Sequence, residues 1–176
     1  MIPLSRRRFG CALCAAALSS LYACSGEQGS VAAGPAEIVP GTACDLDGML
    51  LADYPGPKGQ ILYADAKEPV FFCDTVELVS TLLRPEQVRA VKGAWVQDMG
   101  KADWKQPRGH WIDAKAAFFV RGSRKHGSMG PTLATFAQEA DATKFAGEHG
   151  GKVVRFTDIT PAMVDLSGGA LHDTKM

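Results

Sequence analysis

The sequence predicts an α+β protein made of two small related halves, each a short sheet with one helix. Three observations predict it. Short apolar runs of strand type alternate with two stretches of helical periodicity, the order strand, strand, helix, strand occurs twice, and a polar loop at 103–109 separates the two occurrences. The repeat is one of element order, with almost no residue identity.

In the first half, Gly59-Gln60-Ile61-Leu62-Tyr63 and Pro69-Val70-Phe71-Phe72-Cys73 read as two strands on either side of the polar turn Asp65-Ala66-Lys67-Glu68. Asp74 or Thr75 can cap a helix whose Val76, Leu78, Val79, Leu82 and Leu83 share one apolar face, and Pro85 ends it. Residues 94–99 read as a third strand. In the second half, 116–121 is a strongly apolar strand and 132–137 a weaker one. Residues 139–149 form a helix with Ala142, Phe145 and Ala146 on one side, Gly150-Gly151 stops it, and 152–156 is the last strand. The halves are thus 43–102 and 103–166, and the Gly-rich, polar 167–176 reads as a frayed tail.

Ahead of the halves, Arg6-Arg7-Arg8-Phe9 precedes an apolar run at 10–23 that is too short to span a bilayer and has the basic front of an export signal. The adjacent arginines resemble a twin-arginine pattern. Leu21-Tyr22-Ala23-Cys24 resembles a lipobox, whose cysteine is acylated and begins the mature chain. Residues 1–23 are therefore read as a twin-arginine-like lipoprotein signal, Cys24 as the lipidation site, and the Gly-, Ser-, Ala- and Pro-rich 24–42 as a flexible tether. The expected location is the periplasm, anchored to a membrane by lipid, with the outer membrane among the options.

The whole chain has 19 basic and 19 acidic residues; the signal removes Arg6, Arg7 and Arg8 and no acid, leaving 16 basic against 19. A mildly acidic mature chain, with only Arg121, Arg124 and Lys125 clustered, excludes nucleic acid as a partner. There is no Gly-x-Ser-x-Gly elbow, His-Glu-x-x-His pair or phosphate-binding Gly-Lys-Ser loop, so no enzyme is expected and no catalytic residue is assigned.

Cys11 and Cys14 leave with the signal and Cys24 takes the lipid, so Cys44 and Cys73 are the thiols of the folded part. Two cysteines in an exported protein commonly form a disulfide. The surroundings of Cys44 point elsewhere. Cys44-Asp45-Leu46-Asp47-Gly48-Met49 places a thiolate and a thioether five residues apart on a turn, with a carboxylate between them, and such soft donors favour Cu(I). Met49 also suits a packing role, since methionine fills gaps. On the loop 122–131, Met129 lies between glycines and not among apolar neighbours, which makes it a tolerated accident or a soft ligand. His126, three residues away, could add an imidazole or be a solvated loop histidine. Cys73, after Val70-Phe71-Phe72 and before the helix cap, reads as a buried structural thiol or a partner behind the ligands. His110, His149 and His172 show no metal-type spacing.

With these residues the chain resembles the nitrous oxide reductase accessory lipoproteins, the NosL family. The matching pieces are Cys44-x-x-Asp47-Gly48-Met49, Tyr54-Pro55-Gly56-Pro57-Lys58-Gly59-Gln60-Ile61, Phe72-Cys73-Asp74, Asp98-Met99, Trp111-Ile112-Asp113-Ala114, Gly122-Ser123, Met129-Gly130-Pro131 and His149-Gly150-Gly151. They follow the family's order and cover nearly all of the mature chain. The resemblance implies a fold similar to organomercurial lyase and a lipoprotein that holds Cu(I). It further implies that the copper goes to the assembly of the copper-sulfide cluster of nitrous oxide reductase, with that enzyme and its membrane ABC-type assembly machinery as partners. Cys44, Met49 and Met129 are then the candidate copper donors. Some relatives have Cys-x-x-Cys where this chain has Asp47, so either Met129, Met49 or His126 completes the coordination or Asp47 takes part. The competing reading is a docking adaptor of a membrane transporter, with a Cys44–Cys73 disulfide and no metal.

Overall fold

The computed structural model describes residues 34–167. The signal, Cys24, the start of the tether, His172 and the tail from 168 lie outside the described residues. In chain order the elements are β1 (Gly59–Tyr63), β2 (Val70–Phe72), α1 (Thr75–Leu83), β3 (Val91–Gln97), β4 (Trp111–Asp113), β5 (Phe118–Arg121), β6 (His126–Gly127), β7 (Gly130–Pro131), β8 (Ala134–Phe136), α2 (Glu139–His149) and β9 (Lys152–Arg155). Three 3-10 turns lie at Leu51–Asp53, Phe156–Asp158 and Pro161–Met163.

The strands form a sheet ordered β2-β1-β3-β4, a second ordered β8-β5-β9, and the hairpin β6-β7. All pairings are antiparallel. The first strand of each half is flanked by the second and third, β2-β1-β3 in one and β8-β5-β9 in the other. The repeated element order is therefore also a repeated topology. The halves join where Thr135 Oγ1 of β8 donates to the carbonyl of Gln97 in β3 (2.6 Å) and the Met99 N–H donates to the carbonyl of Thr135 (2.8 Å). One apolar core runs through both, with Ile61, Phe72, Leu78, Val79 and Val96 from the first half against Phe119 and Leu133 from the second.

The helices end differently from how they begin. Asp74 caps α1 by accepting from the Val76 N–H (2.9 Å), and Glu77 completes a capping box by accepting from the Asp74 N–H (3.2 Å). Helix α2 has no side-chain cap and stops at Gly150, whose φ of 77° is a left-handed conformation that glycine adopts without strain.

Three expectations need correction. Residues 111–113 belong to the first sheet as β4, paired with β3, so that sheet extends past the expected boundary at 103. The stretch 122–131 is not one long loop, because it contains the hairpin β6-β7. The tether is shorter than 24–42: Ala36 exchanges two backbone hydrogen bonds with the Gln60 side chain (2.8 and 2.9 Å), and Ile38 is buried with its carbonyl accepting from Arg108 (3.1 Å). A single apolar side chain and a buried glutamine suffice to dock a segment whose composition reads as linker.

Candidate metal centre

Backbone pairing brings distant parts of the chain to one point. The turn at Cys44 is closed by Cys44 N–H to Met49 carbonyl (2.9 Å) and by Met49 N–H to Asp47 Oδ1 (2.9 Å), with Gly48 at φ 76°. Cys44 bridges to Phe71 in β2, and the Asp45 N–H donates to the Phe71 carbonyl (2.8 Å). This lays the turn alongside β2, two residues short of Cys73. The chain then enters α1, whose first turn projects Glu77 back toward its own cap.

Glu77 Oε2 lies 3.4 Å from Cys44 Sγ and 3.3 Å from Cys73 Sγ, and Asp47 Oδ2 lies 3.9 Å from Cys73 Sγ. One donor atom from each of Cys44, Asp47, Cys73 and Glu77 falls within 4.8 Å of all the others. Cys44, Cys73 and Glu77 are buried, whereas Asp47 is exposed. Met49 and Met129 pack against the two cysteines together with Leu51, Ile38, Phe71 and Trp111. Four potential oxygen and sulfur donors thus meet beside an apolar cluster that includes two methionines.

The second half closes the site through its hairpin. Ser128 Oγ is 2.9 Å from the Cys73 carbonyl and 3.2 Å from Cys73 Sγ, and Thr132 Oγ1 donates to Asp74 Oδ1 (2.6 Å). A side chain at Gly127 would collide with the Asp74 carboxylate, and a Cβ at Gly56 would sit 2.7 Å from Gly127 Cα. The loop at Tyr54-Pro55-Gly56-Pro57 therefore stacks backbone against backbone on the hairpin. Next to it Lys58, fully buried, donates from Nζ to the carbonyls of Cys73 (2.9 Å) and Pro55 (3.0 Å).

The charges are unequal by design of the neighbourhood. A hydrogen bond from the Cys73 thiol pulls Cys44 down to about 6, against the opposing effect of burial and with help from backbone N–H groups. That same bond, burial and the nearby Glu77 charge push Cys73 upward, so at neutral pH one thiolate is shared by two sulfurs. Burial raises Glu77 to about 8, and the Cys44 thiolate adds to the rise. Burial lowers Lys58 and raises Asp74; the surrounding anions resist the first change and the Thr132 hydrogen bond the second. Glu77 Oε1 is buried without a hydrogen-bond partner, an uncompensated acceptor beside two thiols.

Of the residues singled out from sequence, Cys44, Asp47, Met49 and Met129 come together. His126 does not: it is exposed on β6, outside the donor cluster, and its backbone carbonyl accepts from Trp104 Nε1 (3.1 Å). Cys44 and Cys73 are free thiols and not the disulfide of the adaptor reading. Two members were missed as candidate ligands. Cys73 carried a signal in being the other thiol of the folded part, and Glu77 carried one in the Asp74-x-x-Glu77 capping pattern, which explains it fully without a metal.

The frame and its donors define a small α+β protein able to hold a soft metal ion between two loops and a helix start. The NosL family model matches residues 35–164, and the chain belongs to the NosL family. A copper-binding lipoprotein NosL from Stutzerimonas stutzeri is 40% identical over 135 residues, spanning 74% of this chain and 70% of that one. Another of the same name from Achromobacter cycloclastes is 37% identical over 163 residues, spanning 90% and 84%. The crystal structure of the copper chaperone NosL from Shewanella denitrificans matches with a TM-score of 0.69 at 40% identity, covering 74% of this chain and 97% of that one.

Proposed function

We propose that this protein binds copper as Cu(I) and, anchored in the periplasm through a lipid at Cys24, hands it to the machinery that assembles the copper-sulfide cluster of nitrous oxide reductase. The observation that supports it is the convergence of Cys44 and Cys73 with Asp47 and Glu77 inside 4.8 Å, with Met49 and Met129 packed on the apolar cluster that holds both cysteines. Thiolate and thioether donors select a soft monovalent ion. Relatives named copper-binding lipoprotein and copper chaperone agree with that chemistry.

The arrangement suits carriage better than permanent storage. Cys44 is already a thiolate at neutral pH and takes the ion first, while Cys73 must give up its proton to join, so the second bond is the weaker one to hold and the easier to break. A ligand from an acceptor can then replace it before Cys44 lets go. Asp47, exposed at the rim, marks the side from which an acceptor reaches the sulfurs.

Anaerobic competition of the mature protein against a chromogenic Cu(I) chelator tests the reading. We expect one Cu(I) per chain, and transfer of that copper to apo nitrous oxide reductase in the presence of its membrane assembly complex. Absence of Cu(I) uptake by protein with both thiols reduced would reject copper binding. Uptake without transfer would reject the delivery step alone.

A further inference from the structure

A cavity of about 380 Å3 is walled by the first turn of α1, the β6-β7 hairpin and the turn at Pro161–Met163. Glu77 and Met129 line it, and both also stand at the metal cluster. Its remaining walls include Val76, Leu133 and Met163, and it meets solvent beside the exposed Arg121 and Asp165. The cavity and the cluster are thus two sides of the same pair of residues.

The cluster needs a way in. Cys44 is 4% exposed and Cys73 is fully buried, so an ion reaches them only past other side chains. One approach is the Asp47 and Met49 side of the turn. The other is the cavity, where the ion would meet the thioethers of Met163 and Met129 in addition to the carboxylates of Asp165, Asp74 and Glu77. Thioethers are neutral, bind no proton at any working pH and hold Cu(I) weakly, which allows rapid passage from one to the next. The described residues contain four methionines. Met99 packs in the second half's core, and the other three stand at the cluster or in the cavity.

Met163 is also well placed to stay put. Its N–H donates to the Thr160 carbonyl (2.9 Å), the next residue Val164 is buried, and Met163 itself is half-buried against the common core. A side chain held only for packing could be leucine at no cost to the fold.

We propose that this cavity is a passage by which Cu(I) reaches Cys44 and Cys73, with the Met163 thioether as an early soft contact and Met129 as the last. The proposal rests on the copper reading above and deepens it. It assigns Met163 a role in the rate of loading and none in the final coordination.

The test is stopped-flow loading of the reduced mature protein with Cu(I) supplied as its acetonitrile complex, paired with equilibrium competition. Met163→Leu keeps the bulk and removes the sulfur. We expect loading about tenfold slower, the change that ~1.4 kcal/mol of barrier produces, with the equilibrium affinity within about twofold of wild type. Val76→Trp, which fills the cavity without removing a sulfur, should slow loading as well, and thermal unfolding of both variants checks that they fold. Wild-type loading rates in folded Met163→Leu overturn the proposal. So does an affinity loss in that variant as large as the one from Met129→Ile, which would make Met163 a ligand. If the wild-type protein takes up no Cu(I) at all, the copper reading and the passage fall together.

Discussion

The two halves share one topology and use the same corner for opposite ends. In the first, β2 leads through Phe72-Cys73-Asp74 into α1; in the second, β8 leads through Phe136-Ala137-Gln138 into α2. The spacing from strand to helix is the same. In the first corner Cys73, Asp74, Thr75 and Glu77 are all buried, and the helix start has a full capping box. In the second, Gln138 and Glu139 are exposed, no side chain caps the helix, and the Ala137 N–H is met by Asp98 from a neighbouring loop (3.1 Å). The difference teaches that the site comes from what covers the corner and not from the corner. The Cys44 turn and the hairpin roof the first corner, and burial then demands paired polar groups and shifts their protonation.

The largest expected effect of breaking that asymmetry comes from the sulfurs. Cys44→Ser should weaken Cu(I) binding by more than about 100-fold, beyond the usual 10–100-fold for losing an outer partner, and Cys73→Ser by about 10–100-fold. Competition titration measures both. A Cys73→Ser protein that binds Cu(I) as tightly as wild type would reduce Cys73 to a support for Cys44.

Proton competition sharpens the same point. Between about pH 7 and 8 Cys44 is ionised and Cys73 is not, so if both bind as thiolates and Glu77 keeps its proton, one proton leaves per Cu(I) and affinity should rise about tenfold per pH unit. Below about 6 the dependence steepens as Cys44 protonates. A flat profile between about pH 7 and 8 would assign the bond to Cys44 alone. In the metal-free protein the lowered Cys44 adds stability that is complete above its ordinary value of 9.0 and is lost as pH falls through about 6. Glu77 runs the other way, since its rise from 4.5 to about 8 favours the fold at low pH and that contribution fades as pH climbs through 8.

The caps give a smaller contrast. Asp74→Ala removes the acceptor for Val76 N–H and Thr132 Oγ1 and should cost about 1–2 kcal/mol, whereas Gln138→Ala should stay within about 0.5 kcal/mol. Urea denaturation of the pair of variants measures the gap. The smallest effect is expected from copying the first corner onto the second. The combined Ala137→Cys, Gln138→Asp, Asp141→Glu protein should bind no second Cu(I), because among the described residues no cysteine-bearing turn lies over that corner. A second equivalent of tightly bound Cu(I) would show that the corner makes the site by itself.

Much of this was legible residue by residue. Spacing alone placed β1 and α2 at their observed limits, and a cap at Asp74 or Thr75 was readable as a short polar side chain ahead of an apolar helical face, the structure choosing Asp74. The soft chemistry of Cys44, Met49 and Met129 was readable from residue type on turns. What stayed hidden was short or shared. Strand β4 has three residues and no periodicity of its own, and β6 and β7 have two each, so only their partners make them strands.

The chain's own pattern determined the α+β class, the doubled element order and Cys44, Met49 and Met129 as sulfur candidates, because local periodicity, caps and ligand softness are properties of neighbouring residues. Tertiary structure decided which donors meet. It added Cys73 and Glu77 to the cluster, left His126 outside it, and left the thiols free beside one another, since each of these depends on pairing Cys44 with β2 and on seating the second half's hairpin over the start of α1.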